Sequence, residues 1–206
     1  MNHPSLEGRV ILITGATGAL GSVAAKACAQ AGATVILLGR HIRKLEKLYD
    51  EIVSQGGRKP AIYPLDLAGA SEQDYADLAD TLRQELGGLY GLMHCAAELG
   101  HLMPLSEIDG TRWQRLLQVN LTAPFLLTRA VGKLLIENGR GAQITEVNLF
   151  PDLADFTSLS GKPATAVMAT NPAGIGRLAR VVSRVRSWVR NSRPALKLFR
   201  KFPLRP

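Results

Sequence analysis

The residues best suited to bind a ligand form a glycine-rich turn at positions 14–21, with the sequence T-G-A-T-G-A-L-G. Residues 9–13 before it are rich in β-branched side chains and predict a buried strand, and the alanine-rich residues 23–31 after it predict a helix that Gly32 ends. Strand, turn and helix in this order form a site for a dinucleotide pyrophosphate, because N–H groups at the helix N-terminus face the phosphates. Loops also collect glycine for conformational reasons, but this turn has both flanking elements.

The three glycines have separate roles in such a site. Gly15 and Gly18 let the backbone approach the phosphates, and Gly21 lets helix and strand pack closely. The spacing T-G-x-x-x-G-x-G resembles that of the short-chain dehydrogenase/reductase family. The resemblance implies a Rossmann-like fold, NAD(P) as cofactor and hydride transfer between a carbonyl and an alcohol of a small substrate. The cofactor-binding residues that it implies in the turn are Thr14, Gly15, Thr17, Gly18, Leu20 and Gly21.

Arg40 indicates which dinucleotide is bound. The second predicted strand, residues 34–39, is followed by Arg40, and no acid stands at its end. An acid there would bond the ribose 2′-hydroxyl, whereas an arginine accommodates a 2′-phosphate. Arg43 and Lys44 add positive charge nearby. We therefore predict NADP, with NAD as the alternative; in the simpler interpretation Arg40 only begins a solvated helix.

The resemblance implies two further contacts with the cofactor. Asp66 and Leu67 follow a predicted strand over 61–65 and would receive the adenine ring, although Asp66 could equally be a turn or cap residue. Ala96 would lie beside the nicotinamide ribose. It stands in the sequence H-C-A-A, where the family usually has an asparagine before the alanine, and Cys95 cannot make the hydrogen bonds of an amide.

Asn120 matches the active-site asparagine of the family, which implies that it holds a water in a proton relay. We predict one helix over 109–121 and a further helix up to Asn138. An asparagine inside an apolar helix must find hydrogen-bond partners, and we expect them to be buried.

The remaining catalytic residues of the family are not found in this sequence. The family places a Ser at the end of a fifth strand and then Tyr-x-x-x-Lys, with the Tyr as proton donor. Residues 145–152 read T-E-V-N-L-F-P-D, and no tyrosine follows Tyr90. Ser158, Ser160 and Lys162 have the wrong order and spacing, so we interpret them as loop residues. We expect negligible reductase activity.

The alternation of predicted strands and helices defines the fold class. Strands are predicted near 9–14, 34–39, 61–65 and 91–96, with helices between them, including one over 71–86 that begins with a capping box at Ser71. This pattern predicts an α/β fold with a doubly wound parallel sheet, its C-terminal part missing or altered. We divide the chain into an NAD(P)-binding domain, 1–143, and an atypical basic segment, 144–206.

The basic segment has an unusual charge. The net charge of the chain is +8, yet residues 1–156 hold 14 Lys or Arg against 17 Asp or Glu, whereas residues 157–206 hold 11 Lys or Arg and no acid. Residues 177–190 combine an apolar helical face with arginines. A second hypothesis is thus a non-catalytic nucleotide-binding protein whose tail binds membrane or nucleic acid. A shifted reading frame after Ile144 would also explain the abrupt end of the resemblance, with a diverged tail as the alternative.

Composition limits the remaining classes. The 206 residues suit one core, and two cysteines argue against a disulfide framework. The four histidines have no metal-ligand spacing, so we predict no metal. No leader and no run of 18 apolar residues is evident, which predicts a cytoplasmic protein without a membrane segment. We expect a small carbonyl or alcohol as the partner, disfavour nucleic acid, and expect homo-oligomers only with an intact C-terminal region.

Overall fold

The computed structural model describes residues 6–100 and 104–137, together with the backbone of 143–146 and 168–169. The predictions for Ser158, Ser160, Lys162 and the tail over 177–190 lie outside the described residues. The same holds for Asn138, where the second helix predicted over this region ends.

A parallel sheet forms the centre of the fold. Its strand order is β3-β2-β1-β4-β5-β6, and neighbours from β3 to β5 run parallel, whereas β6 is antiparallel to β5. The strands are β1 (Val10–Thr14), β2 (Thr34–Gly39), β3 (Ala61–Pro64), β4 (Gly91–His94), β5 (Gln143–Glu146) and β6 (Met168–Ala169). The chain order reverses between β1 and β4, and ligands of such sheets bind at that position, outside the carboxyl ends of the strands. The predicted doubly wound sheet is confirmed.

The helices cover both faces of this sheet. They are α1 (Ala19–Gln30), α2 (Ile42–Ser54), α3 (Glu72–Leu86), α4 (Gly110–Leu117) and α5 (Ala123–Glu137). Successive strand residues point to opposite faces, so each strand contributes to two cores. Ile11 and Ile13 lie in the core with α1 and α2, whereas Leu12 lies in the core with α3 and α5. This burial on both faces is the reason that the strands read as continuous apolar runs.

The start of α3 follows its local sequence. Ser71 caps the helix: its backbone N–H donates to Asp74 Oδ2 at 2.7 Å, and its side chain accepts from the Asp74 backbone N–H at 3.4 Å. The predicted capping box is confirmed. Tyr75, Leu78 and Leu82 form the buried face, as their helical spacing predicts.

The prediction of two separate helices over 109–138 is wrong. Residues 110–137 form one continuous helix, in which a single π-turn, Gln118–Thr122, joins α4 to α5. In this turn the Ala123 N–H donates to the carbonyl of Gln118, five residues earlier. Pro124 has no N–H for the carbonyl four residues before it, that of Asn120, so a regular α-helix would lack one bond here. The π-turn accommodates this interruption without ending the helix.

The helix over Gly110–Glu137 is also long and apolar enough, by length and composition, to cross a membrane. Its α5 half packs on the sheet and buries Leu127, Val131, Leu134 and Leu135 in the core. We therefore assign it as a core helix of the α/β fold.

A fifth strand forms although its sequence lacks the expected serine motif. β5 pairs with β4 in parallel, and its last residue, Glu146, stands in register with His94. The chain thus adds a fifth strand to the parallel sheet, on the side of β4 that faces away from β1.

Candidate functional site

The glycine turn lies against the end of β4, and two of its glycines are required by space. Gly15 has a φ of +60°, and a Cβ added there would lie 2.6 Å from Cα of Ala96. A Cβ added to Gly21 would lie 2.2 Å from the carbonyl oxygen of Gly15. Since atoms cannot approach so closely, no larger residue fits either position without a backbone shift. Gly18, the N-cap of α1, is open by comparison, with its nearest contact at 3.2 Å.

The start of α1 presents backbone donors to the carboxyl edge of the sheet. The first N–H groups of a helix have no partner within that helix, and no acidic residue stands in the first turn of α1. Leu20 lies in this first turn with its side chain buried, so it can contact a ligand through its backbone only. Thr17 is half-buried, and its Oγ1 lies 3.9 Å from a Cβ built on Gly39, at the end of β2.

Thr14 joins the ends of β1 and β4. Its buried Oγ1 accepts hydrogen bonds from the backbone N–H groups of Cys95 and Ala96, both at 3.2 Å. The structure thereby brings Thr14, Gly15 and Ala96, three of the predicted cofactor residues, into one cluster. This cluster lies at the strand-order reversal, where the fold class predicts a ligand.

Arg40 lies exposed directly after β2. Its Nε donates to Nε2 of His41 at 3.2 Å, and Arg43 and Lys44 stand in the first turn of α2 with no acid among them. This edge of the site is therefore basic, as the sequence predicts.

Asp66 and Leu67 follow β3 in a tight turn. Asp66 Oδ1 accepts from the backbone N–H of Ala68 at 3.1 Å, so Asp66 does stabilise a turn, as one of its two expected roles predicts. Asp66 is exposed, whereas Leu67 is 7% exposed and belongs to the core. The carbonyl of Leu67 accepts a long hydrogen bond, 3.5 Å, from Nε2 of Gln118 in the π-turn.

Asn120 contacts the loop after β4 through two hydrogen bonds. Its Oδ1 accepts from the Glu98 backbone N–H at 2.9 Å, and its Nδ2 donates to the Glu98 carbonyl at 2.8 Å. The expectation of buried partners is wrong, because Asn120 is exposed and its partner is a backbone segment of the loop. Arg115 also contacts Glu98, because its Nε donates to Glu98 Oε1 at 2.9 Å. That hydrogen bond and the nearby charges of Glu98 and Asp66 raise the pKa of Arg115.

His94 and Cys95 at the end of β4 are both neutral groups. Burial lowers the pKa of His94 to about 4, and its Nε2 lies 3.0 Å from Oγ1 of Thr128 in α5. Burial raises the pKa of the Cys95 thiol to about 12, so it is not a nucleophile at neutral pH. Among the described residues, no group of three His, Cys, Asp or Glu side chains could hold a metal ion.

Four residues of this region were missed by sequence reasoning: Glu98, Arg115, Gln118 and Thr128. Each makes its contact with a residue between 17 and 51 positions away. No local pattern of the sequence marks such pairs.

The family model for short chain dehydrogenases matches residues 9–148. The chain belongs to the short-chain dehydrogenase family. The oxidoreductase YciK of Escherichia coli K12 is 38% identical over 139 residues, which are 68% of this chain and 55% of YciK. A short chain dehydrogenase structure from Pseudomonas syringae matches with a TM-score of 0.66 and 41% identity, over 70% of this chain and 58% of that one. A structure from Escherichia coli CFT073, complexed with NADPH, matches with a TM-score of 0.67 and 37% identity, over 71% and 60%.

This chain spans about half the length of the curated relatives that it matches, 55% of one and 47% of another. The match to the family therefore covers the glycine turn and strands β1 to β5. This membership agrees with the Rossmann-like fold.

Proposed function

We propose that this chain binds NADP(H) across the carboxyl ends of β1, β2 and β3. The observation that carries this proposal is the contact between the glycine turn and the end of β4. Because Gly15 and Gly21 have no side chain, the turn packs closely against Ala96 and against itself, and this packing holds the start of α1, with its free backbone N–H groups, at the carboxyl edge of the sheet. Such an arrangement suits a pyrophosphate. In this assignment Thr14, Thr17, Gly18 and Leu20 complete the cradle.

The preference for NADP over NAD rests on Arg40. Its side chain is exposed directly after β2, and Arg43 and Lys44 follow in the first turn of α2, so a 2′-phosphate bound at this strand end would meet positive charge. The similar proteins of Escherichia coli CFT073 and Shigella flexneri 2a were solved with NADPH and NADP, which supports the same choice here.

The remaining cofactor positions follow the order of the strands. We place adenine at Asp66 and Leu67, and the nicotinamide ribose along Ala96. When bound, the nicotinamide supplies the hydride acceptor or donor. Asn120 would hold the relay water while its amide fixes the loop at Glu98.

The reaction of the family, hydride transfer between a carbonyl and an alcohol, needs a proton donor beside the nicotinamide. We infer that this chain turns over poorly, because no tyrosine follows Tyr90 and no Tyr-x-x-x-Lys is present. Loss of a positioned proton donor alone costs roughly 10²–10⁴-fold in rate. The substrate class stays that of the family, a small carbonyl or alcohol.

A second candidate is a non-catalytic nucleotide-binding protein with a separate basic segment, residues 144–206. The 11 Lys or Arg and the absence of acids over 157–206 favour it, since such a charge attracts anionic membrane or nucleic acid.

We place the chain in the reducing cytoplasm, which the free cysteines Cys28 and Cys95 support.

The cofactor proposal is tested by titrating the full chain with NADPH and NADH. We expect tighter binding of NADPH, and we expect Arg40→Asp to reverse the preference because a carboxylate repels the 2′-phosphate. Arg58→Asp, an equal change of charge at an exposed position before β3, should leave the preference intact. Equal affinities in the wild type, unchanged in Arg40→Asp, would refute the role of Arg40.

A further inference from the structure

The π-turn contains a second polar residue besides Asn120, namely Gln118, whose side chain lies toward the end of β3. Gln118 is the first residue of this turn, is half-buried, and donates from Nε2 to the carbonyl of Leu67. Arg115, one turn earlier, is close enough to Asp66 for that carboxylate to contribute to its raised pKa. One side of the helix therefore faces the residues Asp66 and Leu67.

The contact that Gln118 makes in the structure is loose. Its donor–acceptor distance is 3.5 Å, whereas good N–H···O bonds lie near 2.9–3.0 Å. Its Oε1 accepts no hydrogen bond from the described residues. A half-buried carboxamide with one long bond, and with no donor to its Oε1 among the described residues, can form better bonds with a ligand that displaces this contact.

Of the three polar side chains here, Gln118, Asp66 and Arg115, only the carboxamide of Gln118 offers both a hydrogen-bond donor and an acceptor. Asp66 is acceptor-only when ionised, and one of its oxygens already accepts from Ala68. Arg115 is donor-only and is bound to Glu98. Adenine presents an amino group at N6 next to an acceptor at N7, and a Gln side chain matches this pair with two hydrogen bonds.

We propose that Gln118 is a further cofactor-specificity residue, which recognises the N6 and N7 edge of adenine. This inference rests on the proposed function, because it requires adenine at Asp66 and Leu67. In this arrangement Gln118 Oε1 accepts from the 6-amino group and Nε2 donates to N7, while Asp66 takes the other amino hydrogen. The π-turn positions Gln118 for β3 and Asn120 for the loop after β4.

The test compares NADPH with its hypoxanthine analogue, in which an oxygen replaces the 6-amino group. Both dissociation constants are measured by ligand fluorescence for the wild-type full chain, Gln118→Met and Gln114→Met. Gln114 is an exposed glutamine of the same helix and gives a matched control. Thermal midpoints of the three proteins verify that the substitutions leave the fold intact.

We expect the wild type to favour NADPH, and Gln118→Met to reduce this ratio about fivefold or more, while Gln114→Met retains it. An unchanged ratio in Gln118→Met, or an equal fall in both variants, overturns the role of Gln118 and leaves NADPH binding standing. A wild type that binds neither dinucleotide refutes the proposed function itself. If Gln118→Met does not fold, Gln118→Leu is judged by the same criterion, because its side chain likewise has no acceptor for the 6-amino group and no donor for N7.

Discussion

Replacing Gly21 by alanine should destabilise the protein although alanine is the better helix former. The added Cβ would lie 2.2 Å from the Gly15 carbonyl oxygen and 2.9 Å from Cα of Ala16. Both neighbours are backbone atoms, so no side-chain rotation relieves the contact. α1 would have to move away from the turn by about 1 Å, to reach the normal separation of more than about 3 Å between such atoms.

The size of the effect follows from what holds α1 in place. Ala24, Ala25 and Cys28 of α1 are completely buried against the sheet, so a shift of the helix disturbs this packing. Overpacking of this kind costs about 1–3 kcal/mol. The intrinsic helix preference of alanine over glycine returns at most about 1 kcal/mol. We expect a net loss of about 1 kcal/mol in the free energy of unfolding, the middle of the overpacking cost less this helix term, together with weaker NADPH binding.

Gly132→Ala is the matched control for this prediction. Gly132 also lies in a helix, α5, but a Cβ built on it meets nothing within 4 Å. This variant should gain roughly 0.5–1 kcal/mol, because alanine loses less backbone entropy on folding. Urea denaturation of both variants measures the difference. If Gly21→Ala is as stable as Gly132→Ala, the close approach of α1 to the turn is not a constraint in solution.

Three further predictions concern stability, acid sensitivity and the gene. Tyr75→Phe should stabilise the protein by up to about 1 kcal/mol in chemical denaturation, because the buried Tyr75 hydroxyl has no hydrogen-bond partner among the described residues; a loss of stability would reveal one. His94 has a pKa of about 4 when folded against about 6.5 unfolded, so the unfolded state binds the proton more readily. Stability should therefore be full above pH 6.5 and fall by about 3 kcal/mol toward pH 4, and His94→Gln should flatten that slope in pH-dependent denaturation. Resequencing of the gene tests the shifted reading frame. We expect another frame downstream of Ile144 to encode Tyr-x-x-x-Lys and the Asn-Pro-Gly turn that accompanies the sixth strand of the family, and the absence of both from all three frames contradicts it.

The fold and the glycine turn could be predicted because their signals are local. Apolar runs and helical spacing over β1 to β4 and α1 to α3 follow from burial on the faces of a sheet. The capping box at Ser71 is written in four consecutive residues. Gly15 and Gly21 are recognised by spacing alone, and the structure adds the reason, namely contacts with Ala96 and with Gly15 itself.

Only the tertiary structure decided the partners of the polar residues around the site. The periodicity over residues 109–138 predicts helical structure on both sides of Asn120. It does not show whether the helix is broken or continuous there, because that depends on how α5 packs in the core. Three hydrogen bonds show the same dependence on tertiary structure: they join Asn120 to Glu98, His94 to Thr128 and Gln118 to Leu67, at separations of 22, 34 and 51 residues. A hydrogen bond between distant residues depends on how the sheet brings strand ends together, whereas sequence patterns report which residues share one face of one element. The sequence therefore determined the elements and their order, and the packing of the strand ends decided which side chains meet there.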